Sequence, residues 1–303
     1  MSVIMGGVTE RLSTVILTYR RDEALRRTLT RLLEVLGPDG SQVVLVDNNA
    51  DDIDRGVLLE PFRDGTYIRQ PVNTGVAEGR NRGIAASSGD VLLFLDDDAL
   101  VVGGPEFSKD LLGMFTGDPS LACVAFRSHV GGETEDPAEF PHTDKGRPRD
   151  VGFDTFRFIG VAHALRRTAL SRAGRYCESF FYGMEEFDLS YRLLKLGYRI
   201  AYVPRFRVHH MKDDRGRLPA PAVVRRMYAN KLAVGWMHLP WPTFIVSAGA
   251  WFVKTALDSR SPLTAVRAIG DFVAMVSHGQ VNKRDPSTTL VKQIRHLGGT
   301  PWR

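Results

Sequence analysis

The apolar run Val91-Leu92-Leu93-Phe94-Leu95 leads directly into three aspartates, Asp96-Asp97-Asp98. Five consecutive apolar residues after Gly89-Asp90 fit a short, fully buried strand. Three carboxylates at its end repel one another, so the fold must offset the crowding. Side chains alternate along an extended chain, so Asp96 and Asp98 point the same way. Two converging oxygens suit a hard divalent cation such as Mg²⁺ or Mn²⁺. The plainer alternative is a turn, where Asp is common.

The residues before this strand alternate between two periods. Leu12 to Leu17 is apolar and β-branched, a strand. Asp22 then reads as a helix N-cap, with Leu25, Leu29, Leu32, Leu33 and Leu36 at helical spacing and Gly37-Pro38 as the stop. Val43 to Val46 is a second strand, ending in Asp47-Asn48-Asn49. A weaker helix is expected near Asp54 to Phe62, a short strand at Tyr67 to Arg69 and a helix from Glu78 to Ser87. This β-α-β-α order predicts an α/β fold, a mostly parallel sheet with helices on both faces. Such sheets bind ligands beyond the carboxyl ends of their strands. Thr18-Tyr19-Arg20, Asp47-Asn48-Asn49 and Asp96 to Asp98 all lie there. No Gly-x-Gly-x-x-Gly follows the first strand, no Gly-Lys-Ser/Thr closes a Gly-rich loop, and no Gly-x-Ser-x-Gly elbow occurs.

Further on, Leu121 to Phe126 is strand-like, Ser128 to Asp150 reads as a mobile surface loop, and Phe158 to Leu165 resumes strand character. Glu185 to Leu196 is an amphipathic helix with Gly197 at its C-cap. Arg199 to Val203 is a strand, followed by Val208-His209-His210. From Ala222 onward the pattern is helical: a basic helix at Val223 to Met237, an apolar stretch at Thr243 to Val253 near Trp241 and Trp251, and a helix over 262–277. Lys254 interrupts the apolar stretch short of the 20 or so residues that span a bilayer. These helices either lie in a membrane interface or pack on the core.

Composition is that of a soluble globular chain, 43% hydrophobic and 25% charged. Cys123 and Cys177 give neither a disulfide framework nor zinc spacing and fit packing roles in a reducing cytosol. Met1 to Thr9 lacks the charged start and long apolar core of a signal peptide. The basic surplus concentrates between Arg199 and Lys231, either a surface for phosphates, anionic lipid or nucleic acid or simply a solvated face.

Taken in order, several segments resemble the family 2 glycosyltransferases of the GT-A fold, including its rhamnosyltransferase- and glucosyltransferase-like members. They are Val15 to Arg20, Val44 to Asp51, Asn73 to Gly83, Asp96-Asp97-Asp98, Glu185 to Arg192 and Val208-His209-His210. The match covers roughly residues 11 to 215, and ordered motifs are more specific than any one of them. The resemblance implies a catalytic domain at 11–215, with a tail at 1–10 before it; the helical region at 216–303 lies outside the match and is expected to associate with a membrane or bind the acceptor.

The resemblance also implies site roles. Asp98 with Asp96 holds Mg²⁺ or Mn²⁺ against the donor's diphosphate, Asp96 alternatively facing the ribose, and His210 completes the metal or phosphate site, with His209 as its rival. Asp47 reads a uracil or thymine N3–H, bordered by Thr18, Tyr19 and Arg20. Asn48 reads the base or caps the next turn, and Asn73 opens the stretch before the metal strand. Arg80 lies near the diphosphate with Asn81 supporting it, and Asp97 accompanies the DxD element or merely forms a turn. Glu186 is the general base, Glu185 the fallback, since the chain has Glu-Glu where the family more often has Glu-Asp. Asp188 and Arg192 read as a helix-face pair, and His163 as packing. The expected activity is inverting transfer from a UDP- or dTDP-sugar to a glycan, a lipid-linked or a small-molecule acceptor, with no nucleic acid involved. The implied setting is bacterial and cytoplasmic, peripheral on the inner membrane face. The alternatives are a metal-dependent nucleotidyltransferase and an inactive polyanion- or membrane-binding module.

Overall fold

The computed structural model describes residues 10–301 except 132, 133 and 217. The tail before Glu10, and with it the signal-peptide question, lies outside the described residues. Four strands, β1 (Leu12–Thr18), β2 (Gln42–Asp47), β3 (Gly65–Arg69) and β4 (Val91–Asp96), form a parallel half-sheet in the order β3-β2-β1-β4. Helix α1 (Asp22–Leu36) joins β1 to β2 and buries Leu25, Leu29 and Leu32. Asp22 opens this helix without capping it; its carboxylate pairs with Arg55 instead. The weak helix near residues 54–62 is a single 3-10 turn, Gly56–Leu59. Helix α2 (Gly75–Ala86) leads into β4, all five of whose apolar residues are buried.

Beyond β4 come β5 (Ala99–Val102), α3 (Phe107–Gly117), β6 (Leu121–Val130), β7 (Phe153–Asp154), β8 (Ala162–Arg166), α4 (Arg167–Ala173), α5 (Glu185–Lys195) and β9 (Arg199–His210). The sheet continues β4-β8-β6-β9-β5, with β7 on β9. This half is mixed, not mostly parallel: β8 runs antiparallel to both neighbours, while β6 and β9 are parallel. No crossover helix lies between β6 and β8, and parallel neighbours need such a crossover. The expected late strand and the histidine segment are one continuous strand, β9. Its register places His210 opposite Ala99, next to Asp98.

The segment read as a mobile loop is packed. β6 extends through Val130, and Phe140 is buried against Phe153 and Tyr202. A single aromatic anchor in a polar stretch has no periodicity to announce it. Part of the basic run is balanced by acids distant in sequence: Arg199 by Asp118 and Asp154, Lys212 by Asp136, and Arg225 by Asp271. Both cysteines are buried and free.

Four helices complete the described chain: α6 (Ala220–His238), α7 (Trp241–Asp258), α8 (Pro262–Ser277) and α9 (Thr288–His296). Tyr228 and Leu232 of α6 meet Ala265 and Ala268 of α8 in a small core. Val234 and Met237 of α6 and Leu290 and Ile294 of α9 join the main core. Among the described residues, no helix is long and apolar enough to cross a membrane.

Candidate active site

Three strand ends and one helix start meet at one edge of the sheet. Asp96 closes β4, Asp98 follows two residues on, and His210 closes β9. Each offers one ligand atom, and these atoms lie within 4.8 Å of one another. Asp98 is fully buried. Its Oδ2 accepts the Asp213 N–H at 2.9 Å and lies 3.3 Å from Arg21 Nη1. Its Oδ1 sits 3.3 Å from His210 Nε2 but receives no aligned hydrogen bond. A buried acceptor left short of a donor fits a cation better than it fits a purely structural role. Burial alone would raise the Asp98 carboxyl; His210, Arg21 and the Asp213 amide outweigh it and hold it below the usual range.

His210 is buried between two carboxylates. Its Nδ1 faces Glu139 Oε1 at 2.8 Å, so Nδ1–H donates there and Nε2 is directed toward Asp98. Burial lowers the imidazole, yet the neighbouring carboxylates Asp98 and Glu139 prevail and raise it to about 9. The neighbouring His209 belongs to the opposite face of β9, its ring 5.7 Å from that of His129. The geometry therefore selects His210 from the pair.

Asp97 faces away from this cluster and is buried. It accepts from Thr18 Oγ1 at 2.8 Å, the Tyr19 N–H at 3.2 Å and Arg21 Nη1 at 2.9 Å, while its carbonyl accepts from Thr28. Burial pushes its carboxyl up to about 7, against the pull of Arg21. Thr18 and Asp97, both expected at the donor, thus spend their polar atoms on each other and lock β1 to β4. Arg21, which the sequence reading passed over, is the counter-charge that lets two adjacent aspartates be buried together.

A cleft of about 280 Å³ opens beside them, lined by Tyr19, Arg20, Asn48, Asn49, Ala50, Asp51 and Asn73. Asp47, the expected base reader, has no surface in it. Its Oδ1 accepts from the Asn49 backbone and side chain, and its Oδ2 from Arg55 and Tyr67. A carboxylate with both oxygens occupied and no exposure is a structural keystone as placed. The open carboxylate of the cleft is Asp51, held by Arg55 at 2.8 Å. Asn48 donates to Asn73 and to the Gly75 carbonyl, and the Asn73 carbonyl oxygen takes the Gly75 N–H, so this pair fixes the start of α2. Arg20 adopts a left-handed backbone with its N–H on Asn49 and its guanidinium over the Tyr19 ring.

Arg80 is a buried hub and not part of an ordinary exposed helix face. It is 4% exposed and reaches Asp96 at 3.3 Å, Glu185 at 3.1 Å, Glu186 at 3.7 Å and the Gly160 carbonyl at 3.0 Å. Asn81 supports it from below by binding the backbone of Tyr176. The two glutamates begin α5 after Met184, whose φ of 73° marks a sharp turn into the helix. Glu185 is buried, and burial, then the charge of Glu186, raises its carboxyl well above the ordinary range despite Arg80. Glu186 keeps 17% of its side chain in contact with solvent. Gly160 lets it stand there, because a Cβ at that position would lie 2.3 Å from Glu186 Oε1. Asp188 pairs with Arg192 at 2.6 Å as expected, and also with His238 of α6 at 2.8 Å. His163 is packing: fully buried, it lies between Phe94 and Phe158 with Nε2 on the Tyr176 hydroxyl.

The site residues missed from sequence are Arg21, Arg55 and Glu139. Arg21 adjoins the Thr18-Tyr19-Arg20 turn and could have been found there. Glu139 lies in a polar stretch with no pattern around it.

The comparisons with known proteins agree with this geometry. Residues 13–174 match the family described as "Glycosyl transferase family 2". The pre-mycofactocin glycosyltransferase of Mycobacterium tuberculosis is 29% identical over 257 residues, covering 81% of this chain and 52% of that protein. The validoxylamine A glucosyltransferase of Streptomyces hygroscopicus subsp. limoneus is 32% identical over 62% of this chain and 49% of its own length. The chain therefore spans about half the length of these two relatives. The N-acetylglucosaminyl-diphospho-decaprenol L-rhamnosyltransferase of M. tuberculosis is 24% identical, covering 86% of this chain and 96% of that protein. Among solved structures, GalNAc-T7 with UDP, GalNAc and Mn²⁺ superposes with a TM-score of 0.62 at 16% identity, over 87% of this chain and 57% of that one. The Pyrobaculum calidifontis mannosyltransferase with GDP-Man and Mn²⁺ gives 0.59 at 18% identity, over 97% and 82%. At such identity these two likenesses establish the GT-A fold alone. With more than half of its length matched, the chain belongs to glycosyl transferase family 2.

Proposed function

We propose that the protein transfers a sugar from a pyrimidine nucleoside-diphosphate sugar, UDP- or dTDP-linked, to an acceptor hydroxyl with inversion at the anomeric carbon. The observation that carries this reading is the shared hub: Arg80 touches both the Asp96 corner and the solvent-reaching Glu186. Glu186 takes the acceptor proton as the acceptor oxygen bonds to the anomeric carbon and the bond to the diphosphate breaks. Arg80 holds this carboxylate in place and balances its charge. Burial and the charge of Glu186 favour the protonated form of Glu185, while Glu186 reaches solvent. Asp96, Asp98 and His210 would hold Mg²⁺ or Mn²⁺, which supplies neutralisation of the charge on the departing diphosphate. Tyr19, Arg20, Asp51 and Asn73 border the nucleotide cleft, with Asp47 setting the loop from behind.

Support for the metal and for a nucleoside-diphosphate donor in general comes from the structural neighbours, which hold Mn²⁺ with UDP or GDP-Man. The relative named for a decaprenol-linked substrate supports a lipid-linked acceptor, and the one named for validoxylamine A supports a small one. The nucleotidyltransferase alternative gains nothing from the fold or the family match.

The test is calorimetric titration of UDP, dTDP, GDP and ADP, with and without Mn²⁺, on the wild-type protein and Asp98→Ala. Metal-dependent binding of one pyrimidine diphosphate, lost in the variant, is expected. Metal-independent binding, or equal binding of all four, would sink the reading.

A further inference from the structure

Helix α7 is apolar on both faces. Phe244, Ala248, Trp251 and Phe252 pack against the small core shared with α6 and α8, while Ile245, Val253 and Leu257 are 62%, 57% and 71% exposed. A helix with water on its outer face carries polar residues there. Helix α8 continues the surface, with Leu263, Val266 and Val273 each more than half exposed. Nine of the fifteen large apolar side chains that are exposed among the described residues fall within 241–273. Contiguous apolar surface on this scale marks an interaction site.

Charge identifies the occupant. Residues 216–303 carry twelve Lys and Arg against three Asp and no Glu, a net +9. Residues 1–215 carry the remaining 28 against 32, a net −4. The chain's basic surplus therefore lies wholly in the segment that carries the apolar face. A second copy docked on this face would bring like charges together, whereas an anionic lipid surface complements them. Neither helix can span a bilayer, so the hairpin would lie in the interface plane, with Trp241, half exposed at its edge, suited to the headgroup level.

We propose that α7 and α8 form an interfacial anchor that seats the protein on an anionic bilayer. The anchor connects physically to the site. Helix α6 packs against both helices and, through Asn230 Nδ2, donates to the carbonyls of Tyr182 and Gly183 at 3.1 and 2.8 Å, in the loop that delivers Glu185 and Glu186.

The test is vesicle co-sedimentation of the full chain, using phosphatidylcholine vesicles with and without phosphatidylglycerol, at low and high salt. The variants are Val253→Glu/Leu257→Glu and, separately, Arg260→Glu/Arg267→Glu. All four residues are exposed, so circular dichroism should report an unchanged fold. Binding to the phosphatidylglycerol vesicles should fall on the order of tenfold or more in the first variant and lose its salt dependence in the second. Equal partition of the first variant and wild type would overturn the proposal. So would a failure to bind anionic vesicles, or a concentration-dependent dimer in sedimentation velocity that Val253→Glu/Leu257→Glu abolishes. Attachment is read without any transfer, so its failure leaves the catalytic reading standing.

Discussion

The two acidic corners of the site hold similar side chains in opposite electrostatic settings. At the metal corner, Asp98 is buried yet held ionised by His210, Arg21 and a backbone N–H. At the base corner, Glu185 is equally buried but lacks that surplus of donors, and its carboxyl is raised. Its Oε2 has no partner, and its one cation, Arg80, is shared with Asp96 and Glu186. Burial is common to both, so the count of donors decides whether a carboxyl is held below its ordinary range or pushed above it. Glu186, one residue further along α5, escapes burial and is left able to act on substrate.

The sharpest way to break this comparison is Glu186→Gln. If Glu186 is the base, turnover falls by about 10²–10⁴-fold while Mn²⁺ and nucleotide binding by calorimetry stay near wild type. Turnover within a few-fold of wild type would move the base elsewhere. Asp98→Ala attacks the other corner and should separate the two: Mn²⁺ affinity falls by more than about a hundredfold, beyond what a supporting residue costs. Full Mn²⁺ affinity in that variant would mean the three ligand atoms meet for structural reasons only.

Glu139 should have a smaller effect of a different kind. It touches His210 and is not one of the three clustered ligand atoms, so it positions the ring. Glu139→Ala should weaken Mn²⁺ binding by about 10–100-fold, Glu139→Gln should restore much of it, and turnover at saturating Mn²⁺ should change little. Loss of turnover that extra Mn²⁺ does not restore would show that Glu139 acts on something other than the metal site.

The corners also differ in how legible they were. The clustering of Asp96 with Asp98 was readable because β4 ends in a motif and because alternation along a strand fixes which aspartates share a direction. The late histidine was readable as one of two, and only the register of β9 against β5 could choose between them. The donor loop was harder to read for a physical reason. Asp47 and Thr18 stand at strand ends, and Arg55, Tyr67 and Asp97 reach them from other positions and engage their polar atoms. Nothing local in sequence reports such partners. The same applies to Arg80, readable as a basic helix residue but not as a buried hub. The order of elements up to β4 follows from periodicity, whereas β8 and the 131–161 segment depend on tertiary contacts such as those of Phe140. The second, exposed apolar face of α7 was not readable, because apolar content alone does not say which face is covered.

Glu185→Gln should have the smallest effect on catalysis and the clearest on stability. A buried carboxyl raised by burial and by Glu186 holds its proton in the folded protein at pH values where the unfolded chain releases it. Folding is then coupled to proton uptake, so stability declines as pH rises from the ordinary glutamate range toward the raised folded value. Glutamine imitates the protonated form and cannot ionise. The variant should therefore match wild type near pH 5, become the more stable of the two by pH 8, and show a flatter dependence of thermal midpoint on pH between them. Turnover near neutral pH should stay within about tenfold, since Glu186 is untouched. Parallel pH profiles would mean that Glu185 is ionised in the folded state. Arg80 would then serve it as fully as Arg21 and His210 serve Asp98, and the contrast between the two corners would disappear.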